Sequence, residues 1–330
     1  MALPLIAVSL GDPGGIGPEV IAKALADASL RARARWVLIG PERALADAAA
    51  RAGVAQFWTT KPDAGEPVPM LVEVPCDRIE PRATPEGGLA SFAAVEMAIQ
   101  MALARRPGFH ERAAAIVTGP ISKEAWALAG HGEFPGHTDL LAARCGRSPH
   151  AMMFVTPRLR VVLATTHIPL ARVPAAVTPE RVLLAIELGA RMCQRLGLER
   201  PRVAVCGINP HAGESGLLGE DEARAVSPAI AAARERGIDA LGPFPADTIF
   251  NAALAGTFDL VVAMYHDQGL IPVKLLDRDR AVNLTAGLPI IRTSPDHGTA
   301  YDIAGRNAAN PGSMHAALSL AIDLASRQGE

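Results

Sequence analysis

Short apolar runs rich in β-branched residues recur along this chain, and segments with helical spacing fall between them. A short apolar run closed by turn residues is a strand buried on both faces. Strands that alternate with helices build a mostly parallel sheet covered on both sides. The series opens with Leu5 to Leu10, Trp36 to Gly40, Pro69 to Val74 and Ala113 to Val117. Helices are expected from Pro18 to about Asp27, from Leu45 to Ala52, and over 86–105, where Leu89, Phe92, Val95, Ile99 and Leu103 share one face. The rhythm breaks at Ala151 to Val155 and Arg160 to Thr165, two strands joined through Thr156-Pro157-Arg158, and this near-hairpin marks a second domain. It resumes with a helix entered at Thr178-Pro179 and ending near Leu196, capped by the threonine. Then come a strand at Val203 to Cys206, a helix over 221–236, an extended loop from Leu241 to Thr248, and a strand at Leu260 to Met264. Ala281 to Ile291 reads as more strand and 312–327 as a closing amphipathic helix, while Lys61 to Pro67 is a proline-rich surface loop.

Composition narrows the class. The chain has 330 residues, enough for two domains or one large one, and its 49% hydrophobic content supports a substantial core. A net charge of −2 leaves no basic surplus for a nucleic-acid backbone. Cys76, Cys145, Cys193 and Cys206 are far apart with no C-x-x-C pair, against a zinc knuckle or redox dithiol. No run reaches the roughly 18 apolar residues of a membrane span, and the expectation is a cytoplasmic protein.

Ligands in open α/β sheets sit beyond the carboxyl ends of the strands. Three apolar runs end there on a histidine: His167 in Thr165-Thr166-His167, His211 in Asn209-Pro210-His211, and His266 in Tyr265-His266-Asp267-Gln268-Gly269. Each alone reads as an ordinary loop histidine. Together, three neutral imidazoles with an open position suit a divalent metal. Other polar groups in such loops are His137, Thr138, Asp247, Lys274, Asn283 and Arg292, and a lysine, an arginine, an asparagine and a threonine together can hold a phosphate or carboxylate. His110, His150 and His315 lack this context and read as surface residues. The first strand breaks into Gly11-Asp12-Pro13-Gly14-Gly15-Ile16-Gly17-Pro18-Glu19. That loop matches neither G-x-G-x-x-G nor a Walker sequence, so it is either a tight structural turn or a cofactor or substrate loop, with Asp12 its one side chain of further interest.

The segments GDPGGIGPE, PGHTD, THIPL, INPHAGE, YHDQGLIPVK and RTSPDHGTAYDIAG follow in order from Gly11 to Gly305. In this the chain resembles the 4-hydroxythreonine-4-phosphate dehydrogenases of pyridoxal 5′-phosphate biosynthesis. The resemblance implies an α/β fold of two α/β/α domains with mostly parallel sheets, like the isocitrate and isopropylmalate dehydrogenases, and a cleft between the domains. The domains would be 1–125 plus 290–330, and 126–289, the second carrying most metal and substrate residues. It implies a homodimer with its active site at the subunit interface, and NAD or NADP bound by residues that the motifs do not identify. The metal ligands would be His167, His211 and His266, one of them reaching in from the neighbouring subunit, holding zinc, cobalt or magnesium. Substrate contacts would be His137, Thr138, Lys274, Asn283 and Arg292, with Asp247 as a further contact or base. The implied reaction oxidises a small phosphorylated hydroxy amino acid, 4-hydroxy-L-threonine 4-phosphate, to 2-amino-3-oxo-4-phosphooxybutanoate, which decarboxylates to 3-amino-2-oxopropyl phosphate. Rival expectations are a paralogous dehydrogenase of 4-phospho-D-threonate or erythronate or of an aromatic dicarboxylate dihydrodiol, a three-histidine metal-dependent aldolase, and a phosphometabolite-binding protein without catalysis.

Overall fold

The computed structural model describes residues 3–61, 68–104 and 111–327; most of the proline-rich loop, and His110, lie outside the described residues. Eleven strands occur among the described residues: β1 (Leu5–Ser9), β2 (Arg35–Gly40), β3 (Met70–Glu73), β4 (Ala115–Thr118), β5 (Ala151–Val155), β6 (Arg160–Leu163), β7 (Val203–Cys206), β8 (Ala240–Phe244), β9 (Leu260–Ala263), β10 (Val282–Ala286) and β11 (Ile291–Pro295). The chain divides into two compact units, Met1–Arg147 with Leu288–Glu330, and Ser148–Gly287.

In the first unit the strands lie in the order β3-β2-β1-β4-β11, every pair parallel. Ile6, Ala7 and Val8 are all fully buried, which is why the middle of β1 is continuously apolar rather than alternating. Helix Pro85–Ala102 covers the sheet and packs on helix Lys123–Leu128. The sequence-based boundary at 125 falls inside that second helix and is corrected to Arg147. Trp126, Leu140 and Leu141 are all fully buried in the first unit's core beside Phe92 and Ile99, and core membership outweighs any local punctuation in the sequence.

In the second unit the order is β10-β5-β6-β9-β7-β8. The expected hairpin is present: β5 and β6 are antiparallel, and Thr156 Oγ1 accepts from the N–H groups of Arg158 and Leu159 at the turn. β10 is antiparallel to β5, whereas β6, β9, β7 and β8 run parallel. Two local expectations fail. Ala281 to Ile291 is not one strand but β10 and β11, parted at Gly287 (φ 97°), where a Cβ would stand 2.3 Å from the Pro149 carbonyl oxygen. Leu241 to Thr248 is not an extended loop. It is the edge strand β8, where a proline is tolerated, followed at once by helix Ala246–Leu254. No helix among the described residues is long and apolar enough to cross a membrane.

Candidate active site

The parallel neighbours β6, β9 and β7 end beside one another, and the segments after them carry the three histidines. His167 follows β6 in a short connection, and His266 is the first residue of helix His266–Asp277. Their ring centroids are 5.6 Å apart with the planes tilted by 44°. His266 Nδ1 lies 2.7 Å from the Asp267 carboxylate. A carboxylate partner keeps the proton on Nδ1 and turns Nε2 outward as a lone-pair donor, the arrangement usual for imidazole ligands. The donor type therefore fits a zinc- or cobalt-like ion. His211 does not join the pair: no group of three or more His, Cys, Asp or Glu side chains placed to hold one ion forms among the described residues of a single chain.

Two buried residues lace these strand ends, and neither stands out in sequence. Gln268 Oε1 accepts from Met264 N–H at 2.6 Å, while its Nε2 donates to the Gly207 carbonyl at 2.8 Å. It thus ties the His266 segment to the end of β7. Thr165 donates through Oγ1 to the Met264 carbonyl at 2.7 Å, tying in the His167 segment. The available signal was their position, each within two residues of a candidate histidine. Gly269 is a glycine for the sake of packing. It lies within the helix, where a Cβ would stand 2.6 Å from Leu163 Cδ2 and 2.9 Å from Val161 Cγ1, and so lets the helix approach the sheet.

His211 sits in an unusual backbone. His211, Ala212, Gly213, Glu214 and Ser215 have φ of 52°, 53°, 80°, 43° and 58°, five successive left-handed residues. Four of them carry a Cβ, and at about 1–2 kcal/mol each the run costs roughly 4–8 kcal/mol relative to ordinary backbone. Such strain persists only where the surroundings hold it, and it collects at functional sites.

Lys274 is exposed two turns into the helix that His266 begins. Asp247 is exposed in the first turn of helix Ala246–Leu254, whose N-cap is Pro245 without a side-chain bond. Asn283 lies on β10 with its Oδ1 buried and without a hydrogen-bond partner.

In the first unit His137 opens helix His137–Arg144, with Thr138 next to it. The residue as a whole is half-buried, but its Nε2 is fully buried without a partner. Its ring meets Trp126 edge-on at 5.7 Å, and Trp126 Nε1 donates to Ser91 Oγ at 3.0 Å. Burial, and secondarily the charge of Arg292, hold the imidazole pKa well below its ordinary 6.5. Arg292, on β11, is 3% exposed and donates Nε and Nη2 to Thr118 Oγ1 at 3.1 and 2.8 Å. Burial pushes its pKa down to about 9, so it stays charged at neutral pH. Thr118, at the carboxyl end of β4, is the positioning group that sequence reading missed. Orphaned buried atoms are rare in native proteins, and His137 Nε2 and Asn283 Oδ1 are each such an atom, a hydrogen bond the folded chain leaves unmade in its own unit.

The glycine loop after β1 owes its glycines to backbone packing. A Cβ on Gly14 would lie 1.9 Å from the Glu80 carbonyl oxygen, and one on Gly17 2.2 Å from that of Leu10. Asp12, 1% exposed, accepts from Gly14 N–H at 2.9 Å and from Tyr301 Oη at 2.8 Å. Burial raises its pKa against those two bonds. These contacts are those of a tight structural turn.

Comparison with known proteins adds the family. The family model described as pyridoxal phosphate biosynthetic protein PdxA matches residues 32–321. A 4-hydroxythreonine-4-phosphate dehydrogenase of Desulfosudis oleivorans is 47% identical, over 99% of this chain and 98% of the relative. A D-threonate 4-phosphate dehydrogenase of Cupriavidus necator is 45% identical, again over 99% and 98%. The crystal structure of a Klebsiella pneumoniae 4-hydroxythreonine-4-phosphate dehydrogenase superposes with a TM-score of 0.84 at 40% identity, covering 98% of this chain and 99% of the other. The chain is therefore a dehydrogenase and belongs to the PdxA family of pyridoxal phosphate biosynthetic proteins.

Proposed function

We propose that this dehydrogenase oxidises the secondary hydroxyl of 4-hydroxy-L-threonine 4-phosphate, using NAD or NADP and a divalent ion. The product is 2-amino-3-oxo-4-phosphooxybutanoate, a β-keto acid that loses CO2 to give 3-amino-2-oxopropyl phosphate, a step of pyridoxine biosynthesis. The names of the relatives support the substrate class. The observation that carries the metal reading is the pair His167 and His266, ring centroids 5.6 Å apart, at the ends of adjacent parallel strands. When bound, the divalent ion would lend Lewis acidity to the substrate hydroxyl and the nicotinamide would take the hydride.

His167, His211 and His266 are assigned to the ion, the third imidazole coming from a second copy of the chain. The surface around them supports this. Ile168 and Leu170 follow His167, Leu217 and Leu218 follow His211, Ile271 and Leu275 follow His266, and these six are between 38% and 83% exposed. Large aliphatic side chains left in water on three such segments mark an association surface. In a homodimer the partner would cover them.

His137, Thr138, Lys274, Asn283 and Arg292 are assigned to the substrate. Arg292 and Lys274 supply positive charge for its phosphate and carboxylate. The neutral His137 ring and Asn283 Oδ1 offer hydrogen bonds that the folded chain itself leaves unmade. Lys274, Asp247 and a water are the candidates for taking the hydroxyl proton. His211→Ala should lose metal and turnover together while staying folded; full metal content and full turnover in that variant would refute the assignment.

A second reading is oxidation of D-threonate 4-phosphate, in which a hydroxyl replaces the amine. The 45% identical relative so named is nearly as similar as the 47% identical one. Comparing kcat/KM of the purified protein on the two substrates, by absorbance of the reduced nicotinamide, decides between them.

A further inference from the structure

We infer that Glu222 is a positioning residue whose buried carboxylate holds the His211 loop in the left-handed conformation that presents the imidazole. The inference rests on the reading of His211 as a metal ligand. Glu222 is 5% exposed and begins a single π-helical turn, Glu222–Val226, a distortion that recurs at functional sites. Its Oε1 accepts from the backbone N–H groups of Ile208 and Asn209, both at 2.7 Å, and its Oε2 accepts from Asn209 Nδ2 at 3.1 Å. Asn209 Nδ2 also reaches Asp221 Oδ2 at 3.1 Å.

The loop folds round this carboxylate. A Cβ on Gly213 would stand 2.6 Å from Glu222 Oε2, and one on Gly207 3.0 Å from Oε1, so glycine backbone forms the walls. The donors come just before His211 and the wall glycine just after it. A charged acceptor that bonds the entry of a strained segment and packs against the glycine beyond it can hold the segment against relaxation. Without that anchor, the four left-handed residues that carry a Cβ return toward ordinary φ, and the His211 ring moves with its backbone.

Glutamine at 222 keeps the shape and one acceptor oxygen. It also sets an amide N–H2 against Asn209 Nδ2, donor facing donor, and removes the charge. The test titrates the full-length protein with Co2+ alone, following the visible ligand-field absorption, for wild type, Glu222→Gln, His211→Ala and Glu222→Gln/Ala212→Gly. Glu222→Gln is expected to bind Co2+ about 10- to 100-fold more weakly, as removal of a group that orients a ligand typically does. Ala212→Gly, which accepts positive φ without strain, should recover part of that loss. Binding by Glu222→Gln within about threefold of wild type, with His211→Ala impaired, overturns the inference even if the thermal midpoint falls. Wild-type binding by His211→Ala overturns the metal reading beneath it. If Glu222→Gln does not fold, Asn209→Ala removes the bond to Oε2 and spares the backbone bonds. A loss of about tenfold supports the inference and unchanged Co2+ binding overturns it.

Discussion

Replacing Gln268 by methionine tests whether the strand ends are held by one side-chain amide. Gln268 is 8% exposed, and its two bonds, 2.6 Å to Met264 N–H and 2.8 Å to the Gly207 carbonyl, connect β9 to β7. Methionine matches its length without the amide, so a backbone donor and a backbone acceptor are left buried without those partners. Each orphaned group costs about 1–3 kcal/mol. Relief from burying the amide itself returns about 1–2 kcal/mol, leaving a net loss of about 1–4 kcal/mol. Thr165 holds the same Met264 from the other side, through its N–H and Oγ1 at 3.1 and 2.7 Å. Thr165→Val should cost about 1 kcal/mol, and the double variant should depart from additivity by at least about 0.5 kcal/mol because both ties meet on one residue. Urea unfolding followed by far-UV circular dichroism and by tryptophan fluorescence is the assay. Trp36, Trp58 and Trp126 all belong to the first unit, so fluorescence reports that unit and circular dichroism reports both. Free energies are taken from coincident transitions, and separate transitions are assigned to units. A Gln268→Met protein within about 0.5 kcal/mol of wild type, or one altered only in the tryptophan transition, refutes the reasoning.

Thr118→Val removes the hydroxyl that accepts from Arg292 at 3.1 and 2.8 Å. Bonds to charged groups contribute about 1.5–3 kcal/mol, so stability should fall by that order and KM for the phosphorylated substrate should rise more than kcat falls. The neutral, buried His137 ring makes stability depend on pH. Its folded pKa lies below the unfolded 6.5, so the unfolded chain takes up the proton first on acidification; the contribution is complete above 6.5 and is lost as pH falls below it. His137→Asn should flatten the stability-versus-pH curve below that point by up to about 1.4 kcal/mol per pH unit, measured by urea midpoints across a pH series. Gly14→Ala brings a Cβ to 1.9 Å from the Glu80 carbonyl oxygen, a backbone atom that cannot rotate away. It should destabilise by at least about 1–3 kcal/mol, and an unchanged thermal midpoint would return the loop to the ligand-binding alternative.

Much of the architecture was legible because it rests on local chemistry. Buried parallel strands must be apolar on both faces, so Leu5–Ser9, Arg35–Gly40, Val203–Cys206 and Leu260–Ala263 announce themselves. A capping threonine at 178 and a threonine turn at 156 work through bonds to residues two or three away, and sequence shows those directly. The three histidines were likewise visible, as polar residues at strand ends. What local pattern could not supply was anything set by contact across the chain. Trp126 and Leu140 join the first core only because helix Pro85–Ala102 presents a surface to them, so the domain boundary was misplaced. Thr118, Gln268 and Glu222 take their roles from partners 174, 61 and 14 residues away. The left-handed turn at His211 is visible in no residue preference, since four of its five residues carry a Cβ and would by themselves choose ordinary backbone. By itself the sequence determined the kind of sheet and the kind of chemistry. Which side chains brace that chemistry was decided only by tertiary structure, because a hydrogen bond depends on distance in space and leaves no periodicity along the chain.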